Sequence, residues 1–235
     1  MNETVTIPAQ FNGPPGSGNG GYAAGAFAEF LEGAVEVTLR SPPPLGQQMQ
    51  VVREENGLVV RGGETLVGEV RPCTLSLDVP DCPDAGAIRT AVRRFVEFKK
   101  DDFHRCFVCG AERAVGDGLC LRTGPIDGSE IVATEWIPHE NFAGTDGLIP
   151  QRILWSALDC PGVWSIIRDT GVIMHLGRLT AAVDNDLVAG TPCTVIGWPM
   201  GRDGRKAYAG TAIYDANGNI RGQAKSVWID IGKQV

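Results

Sequence analysis

Apolar residues crowd the stretch Gln151 to Asp169, Gln-Arg-Ile-Leu-Trp-Ser-Ala-Leu-Asp-Cys-Pro-Gly-Val-Trp-Ser-Ile-Ile-Arg-Asp, and predict a helix that is hydrophobic on nearly every face and therefore buried. Between Gln151 and Arg168 this stretch carries one carboxylate, Asp159, whose helical neighbours at i−4 and i+4 are Trp155 and Val163. Pro161 cannot donate to the carbonyl of Ala157, so the helix should kink or restart near Cys160. Two readings of the acid follow. It caps a second helical segment that begins at Cys160-Pro161, or it is kept in an apolar setting for its chemistry.

Elsewhere the pattern is mostly that of short strands. Thr4 to Phe11 reads as a strand, and the small and apolar residues after Asn19, a plausible cap, read as a largely enclosed helix to about Glu32. Ala34 to Arg40, Gln47 to Arg53, Gly57 to Gly62 and Glu64 to Leu77 alternate in apolar and polar steps between turn residues, which predicts an antiparallel meander. Asp84 to Asp102 interleaves Arg89, Arg93, Arg94, Lys99 and Lys100 with Ile88, Val92, Phe95, Val96 and Phe98, an amphipathic linker. The plan then repeats. Strands are expected near Gly118 to Thr123 and Ser129 to Ile137, then the apolar helix, then strands near Met174 to Val183, Thr191 to Trp198, Arg205 to Tyr214 and Ile220 to Ile231. Asp215-Ala-Asn-Gly218 supplies a hairpin turn.

The halves correspond locally. Phe11-Asn-Gly13 matches Phe142-Ala-Gly144 at an offset of 142 − 11 = 131, and Leu39 to Gly46 matches Val183 to Gly190 at an offset of 183 − 39 = 144. The second helix region is therefore 144 − 131 = 13 residues longer. One helix plus a curved antiparallel sheet, stated twice, predicts an α+β chain with halves 1–83 and 103–235 about the linker 84–102, two sheets each wrapped around a central helix, and a site between the halves.

At 235 residues and 43% apolar content the chain has enough material for a real core. A net charge of −7 argues against a nucleic-acid or membrane-surface partner, because phosphate surfaces demand a dominant basic face. Seven cysteines, an odd number spread along a chain with no signal-peptide pattern at its start, read as reduced and cytoplasmic. No apolar run reaches the ~18 residues that a transmembrane helix requires.

Three stretches resemble the hotdog superfamily in its tandem, or double-hotdog, form. Asn19-Gly-Gly-Tyr-Ala-Ala-Gly-Ala26 is similar to the helix start in the N-terminal half of type II acyl-CoA thioesterases. Cys106-Phe-Val-Cys-Gly110 with Gly118-Leu-Cys-Leu-Arg122 is similar to the opening of single-domain, PaaI-like hotdog thioesterases. Leu158-Asp-Cys-Pro-Gly162 falls where those families place an acid on the central helix. The resemblance implies a thioester hydrolase acting on acyl groups carried by coenzyme A or acyl carrier protein, without a cofactor. Tandem hotdogs already contain the pairing that single ones reach by dimerising, which leaves a homodimer open.

Thioester hydrolysis needs a base near the carbonyl carbon and donors where the oxyanion develops. Asp159 supplies the first, with its pKa raised by apolar neighbours. The unpaired N–H groups of the helix start at Asn19, Gly20, Gly21 and Tyr22 supply the second. Gly20, Tyr22, Trp155, Trp164 and Thr191 are the expected substrate-binding residues. The resemblance departs at one point. Type II thioesterases pair the helix acid with a Thr and a Gln, and here Leu176 or Gly177 and Trp228 fall at those places, so an acyl-binding protein without turnover is the competing reading. His175, Thr180, Thr191 and Gln223 are the polar residues nearby in sequence, and Glu29 and Glu32 are alternative bases on the first helix.

Cys106-x-x-Cys109, with His104 and Cys120 close in sequence, raises zinc or redox chemistry. No second Cys-x-x-Cys or paired His follows, and in similar hotdog proteins the motif is a turn, so no metal is expected. Gly16-x-Gly18-x-x-Gly21 matches the dinucleotide fingerprint in form only, since the chain lacks βα alternation. Arg202, Arg205 and Lys206, or the linker cations, are candidates for coenzyme A phosphates as well as ordinary solvated surface.

Overall fold

The structure is a computed structural model and describes residues 3–95, 103–167 and 172–232. Its strands are β1 (Glu3–Thr6), β2 (Val35–Leu39), β3 (Gln48–Glu54), β4 (Gly57–Gly62), β5 (Thr65–Pro72), β6 (Gly124–Pro125), β7 (Val132–Trp136), β8 (Met174–Val183), β9 (Cys193–Asp203), β10 (Lys206–Asp215) and β11 (Ile220–Asp230). They make one antiparallel sheet in the order β1-β3-β4-β5-β2-β8-β11-β10-β9-β7-β6. Four helices accompany it: α1 (Gly20–Ala28), α2 (Ala85–Val92), α3 (Gln151–Ala157) and α4 (Cys160–Ile167). Strand alternation sets the inner face, with Val35 and Val37 of β2 and Met49 and Val51 of β3 packed with Phe27 of α1 and Trp155 and Leu158 in one continuous core.

The expected two sheets are one. Antiparallel pairing of β2 with β8 joins the halves edge to edge, so neither half exposes that edge. Arg178 on β8 reinforces the joint, donating to Thr38 Oγ1 at 2.9 Å and pairing with Glu36 at 3.3 Å. Within this ladder Glu36 faces Thr180, and 180 − 36 = 144, the offset between matching residues of the two halves. A ladder centred on equivalent residues is what an internal twofold requires.

Several loop hydrogen bonds repeat the same symmetry. Gly13 N–H donates to Ser17 O as Gly144 N–H does to Leu148 O, and Gly18 N–H donates to Pro43 O as Ile149 N–H does to Leu187 O. Gly46 N–H donates to Ile7 O as Gly190 N–H does to Pro138 O. Each pair keeps the offset of 131 before the helix and 144 after it.

The strand expected over Thr4 to Phe11 ends at Thr6, and Ala9–Phe11 is a 3-10 turn; two further segments differ more. Gly118 to Thr123 is not a strand. Cys120 has φ +55°, and Leu119 and Leu121 donate singly to Phe107 O and Val108 O, so the segment lies along the Cys106-Phe-Val-Cys turn instead of in the sheet. The linker is not solvated throughout. Asp84 caps α2 by accepting from Gly86 and Ala87, and Ile88 packs with Ala133, Ile196, Trp198, Ala212 and Tyr214 on the outer face of the sheet. Lys99 and Lys100 of the linker, and Arg168 and Asp169 at the end of the apolar stretch, lie outside the described residues. The hairpin at Asp215 forms as expected, with Gly218 at φ +82° and the Asp215 carboxylate accepting from the N–H groups of Asn217 and Asn219.

Candidate functional site

The apolar stretch folds as two helical segments because Pro161 forbids one. The first ends at Ala157 and the second starts at Cys160, and the Leu158 carbonyl exposed by the break accepts from the buried Thr211 hydroxyl at 2.8 Å. Gly162 fits where a side chain would meet Ser226 Oγ at 3.1 Å, so α4 sits down on β10 and β11. The break leaves Asp159 between the two segments, where its side chain turns away from α4 towards α1.

There is little space at that crossing. A Cβ on Gly21 would stand 2.5 Å from Asp159 Cβ and 2.8 Å from Trp155 O, and one on Gly25 would stand 2.7 Å from Trp155 Cβ. The two glycines, one helical turn apart, let α1 lie against α3. They also bring the start of α1 to the carboxylate. Asp159 Oδ2 accepts from Asn19 Nδ2 at 2.8 Å and from Gly21 N–H at 2.9 Å. Asn19 simultaneously caps α1, its Oδ1 accepting from Tyr22 N–H at 2.9 Å. Its donors and acceptor are thereby both committed, which fixes the orientation of the amide.

The acid does not cap α4. Both donors to Oδ2 come from α1 and its cap, while Oδ1 is buried with no hydrogen-bond partner among the described residues. Burial raises the Asp159 pKa to about 7, against the pull of the Gly21 N–H and the Asn19 side chain in the other direction. The group therefore titrates far closer to neutral pH than an ordinary carboxyl group does.

Asp159 lines a cavity of about 420 Å³ whose wall also includes Asn19, Gly20, Cys106, Cys160, Leu176 and Trp228. Asp159, Asn19 and Gly21 thus form one hydrogen-bonded cluster, and Gly20 adjoins it in the wall. The sequence suggested four available helix-start donors, and three of them are engaged. Asn19 N–H goes to Phe11 O, Gly21 N–H to Asp159 and Tyr22 N–H to Asn19, which leaves Gly20 N–H without a partner among the described residues.

Tyr22, Trp155, Trp164 and Thr191 lie outside the cavity lining. Tyr22 stacks on Phe11 at a ring separation of 3.8 Å, and Trp155 is among the largest fully buried side chains. Both belong to the core. The polar residues near Leu176 and Trp228 in sequence divide. His175 reaches the cavity wall, with burial holding its pKa below the usual value, whereas Thr180 and Gln223 sit in the β8–β11 ladder opposite Lys225 and Ala182. Leu176, Gly177 and Trp228 line the cavity as apolar groups. Glu29 is engaged by Arg152 in a two-pronged ion pair, and Glu32 is exposed. Of the candidate cations for phosphates, Arg94 pairs with Asp127 and Arg202 with Asp230, while Arg205 donates to the Asp230 backbone carbonyl.

One group was missed. Cys160, the residue after Asp159, comes within 3.9 Å of Cys106 Sγ, and the sulfurs of Cys106, Cys109 and Cys160 all lie within 4.8 Å of one another. All three are buried and line the same cavity. The thiols of Cys109 and Cys160 hold the Cys106 pKa well below the ordinary range. Cys120 stands apart, its sulfur directed at Arg113 O.

No family model matches this chain, and no curated protein matches it in sequence. Solved structures do match in shape. An acyl-CoA thioesterase II, TesB2, from Mycobacterium marinum superposes with a TM-score of 0.61 at 9% identity, over 100% of this chain and 97% of its own. The tesB protein of Mycobacterium avium subspecies paratuberculosis gives 0.61 at 11% identity, over 98% and 93%. A conserved protein of unknown function with a hot dog fold, from Alicyclobacillus acidocaldarius, gives 0.63 at 10% identity, over 98% and 93%. Among its structural neighbours are thus TesB-type thioesterases, and the chain has the hotdog fold.

Proposed function

We propose that the protein hydrolyses a thioester, an acyl group carried by coenzyme A or acyl carrier protein, with Asp159 as general base. The observation that carries this reading is the state of one carboxyl group. Asp159 is buried in a cavity wall, is held through one oxygen and has the other unpartnered, and its pKa lies near 7. Ionised Asp159 takes a proton from water as the water oxygen adds to the thioester carbonyl carbon. The oxyanion that develops meets the Gly20 N–H, the one helix-start donor not otherwise engaged. Collapse breaks the C–S bond, and the proton on Asp159 passes to the departing thiolate, giving acid and thiol.

In this reading the chain is a tandem hotdog, with halves 1–83 and 103–235 paired across β2 and β8. The repeated loop hydrogen bonds and the ladder centred on Glu36 and Thr180 support it. The TesB2 neighbour is called an acyl-CoA thioesterase, which favours coenzyme A over the carrier protein as the thiol.

A second reading has its own support. Leu176, Gly177 and Trp228 give the cavity an apolar wall where a polar partner would orient water, as suits a protein that binds an acyl ligand without cleaving it. Thiol release from short, medium, long and aromatic acyl-CoAs, comparing wild type with Asp159→Asn, decides between them. Turnover that the substitution abolishes supports the base. Intact substrates that still raise the melting temperature would move the assignment to binding.

A further inference from the structure

Three buried sulfurs converge from two distant parts of the chain. Cys106 and Cys109 are held by a tight turn, in which Gly110 N–H donates to Cys106 O at 2.9 Å and Glu112 N–H to His104 O at 3.0 Å. Gly110 is required there, since a Cβ would stand 2.5 Å from His104 O and 2.6 Å from Cys106 N. The third sulfur, Cys160, opens α4, which is fixed on the sheet through Gly162. A lone buried cysteine is an ordinary small apolar side chain. Three whose sulfurs face one another beside a carboxylate and an amide are a ligand set.

The spacing suits a thiophilic cation. Bonds of ~2.3 Å to a tetrahedral zinc ion place sulfurs roughly 3.8 Å apart. The Cys106–Cys160 separation is 3.9 Å, and no pair exceeds 4.8 Å, so the sulfurs need shift by less than about 1 Å. Thiolate ligands select zinc over magnesium or calcium, which take oxygen. One polar donor reaches the cluster, with Asn19 Nδ2 at 4.0 Å from Cys106 Sγ. A second observation points the same way. The adjacent Asp159 retains a buried carboxylate oxygen, Oδ1, with no partner, in the wall of the cavity that all three cysteines line.

We propose that Cys106, Cys109 and Cys160 bind a zinc ion whose fourth position opens to the cavity beside Asp159. The site joins the Cys-Phe-Val-Cys turn to the start of α4. Neither the turn nor the helix forms it alone, and the Cys-x-x-Cys spacing supplies only two of its three sulfurs.

Metal stoichiometry tests this independently of hydrolysis, so failure of one reading leaves the other standing. Full-length protein, kept reduced and stripped with a chelator, is titrated with zinc against a chromophoric competitor, and in parallel with cobalt(II). Expected are one equivalent bound, a thiolate-to-cobalt charge-transfer band, and loss of three reactive thiols on zinc addition. Cys160→Ser should weaken zinc binding at least 10-fold, whereas Cys120→Ser should leave it within twofold. Wild type that takes up less than one equivalent at micromolar zinc, or Cys160→Ser binding as wild type does, overturns the site. Should circular dichroism show Cys160→Ser unfolded, the wild-type protein decides, since a cobalt complex without the charge-transfer band, or with no thiols protected, rejects thiolate ligation.

Discussion

The two halves share their loop hydrogen bonds and differ in the helix those loops enclose. In the N-terminal half α1 runs unbroken and stops at Ala28. In the other, the chain reaches the matching point at Asp159, since 159 − 131 = 28, and continues into α4. The 13 additional residues follow Asp159 and give the second half a helix break and Cys160, neither with a counterpart in α1, while the buried acid stands where α1 has Ala28. The N-terminal half contributes something different, a helix start whose donors hold the acid. The shared loop geometry is the common frame, and the proposed site depends on what the two halves do not share.

Removing the acid should have the largest effect. Asp159→Asn should lower thiol release roughly 10³-fold, the usual scale for loss of a general base. Glu32→Gln, on the exposed chain just past α1, should leave the rate within twofold. Steady-state assays on a cleaved acyl-CoA measure both. Equal losses from the two substitutions would mean that the asymmetry carries no chemistry.

The same substitution should reverse sign in stability. The buried acid has a folded pKa of about 7, above the usual ~3.9 of an unfolded aspartate. Its contribution is complete below about pH 4 and is lost as pH rises from there towards 7, because the unfolded chain releases a proton that the folded chain retains. Asparagine does not titrate. Measured on chelated protein, so that no metal charge acts on the carboxyl, Asp159→Asn should gain on wild type through this window, by up to roughly 4 kcal/mol at pH 8. Melting curves at pH 5 and pH 8 check it. A constant difference between variants would show that Asp159 is ionised throughout.

Much of this was legible in the sequence, for identifiable reasons. Alternation gave most strands and Pro161 gave the helix break, because each of these is local. What sequence hid was partnership. Gly21 reads as a flexible donor for a ligand, yet its lack of a side chain serves the α1–α3 crossing and its N–H serves Asp159. Trp155 and Tyr22 read as an acyl surface, although bulk and apolarity do not distinguish a tunnel from a core. Cys160 was in view beside Asp159, but its proximity to Cys106 spans 54 residues and no spacing rule reaches that far.

Gly21→Ala tests the crossing itself. The new methyl group would meet Asp159 Cβ and the Trp155 carbonyl, so the helices must part, at a cost of about 1–3 kcal/mol for overpacking. A melting temperature lower by several degrees is expected. Gly33→Ala, at φ +76° with open space around it, should cost only about 1 kcal/mol from backbone strain alone.

The smallest effect separates the two tasks of Asn19. Its counterpart is Pro150, since 150 − 131 = 19, and Pro150 starts α3 with no side-chain hydrogen bond. A hotdog helix in this chain therefore begins without a polar cap when it need not hold a carboxylate. Asn19→Ser keeps an oxygen for the Tyr22 N–H but loses the amide that reaches Asp159 Oδ2. It should melt within about 0.5 kcal/mol of wild type, because serine caps as well as asparagine. Asn19→Ala loses both and should cost about 1 kcal/mol for the cap. Turnover should divide the variants differently, falling about 10-fold in each, since a carboxylate relieved of one of its two donors is less well held towards substrate. If serine restored turnover along with stability, Asn19 would be a cap and nothing more, and Gly21 N–H alone would position the acid.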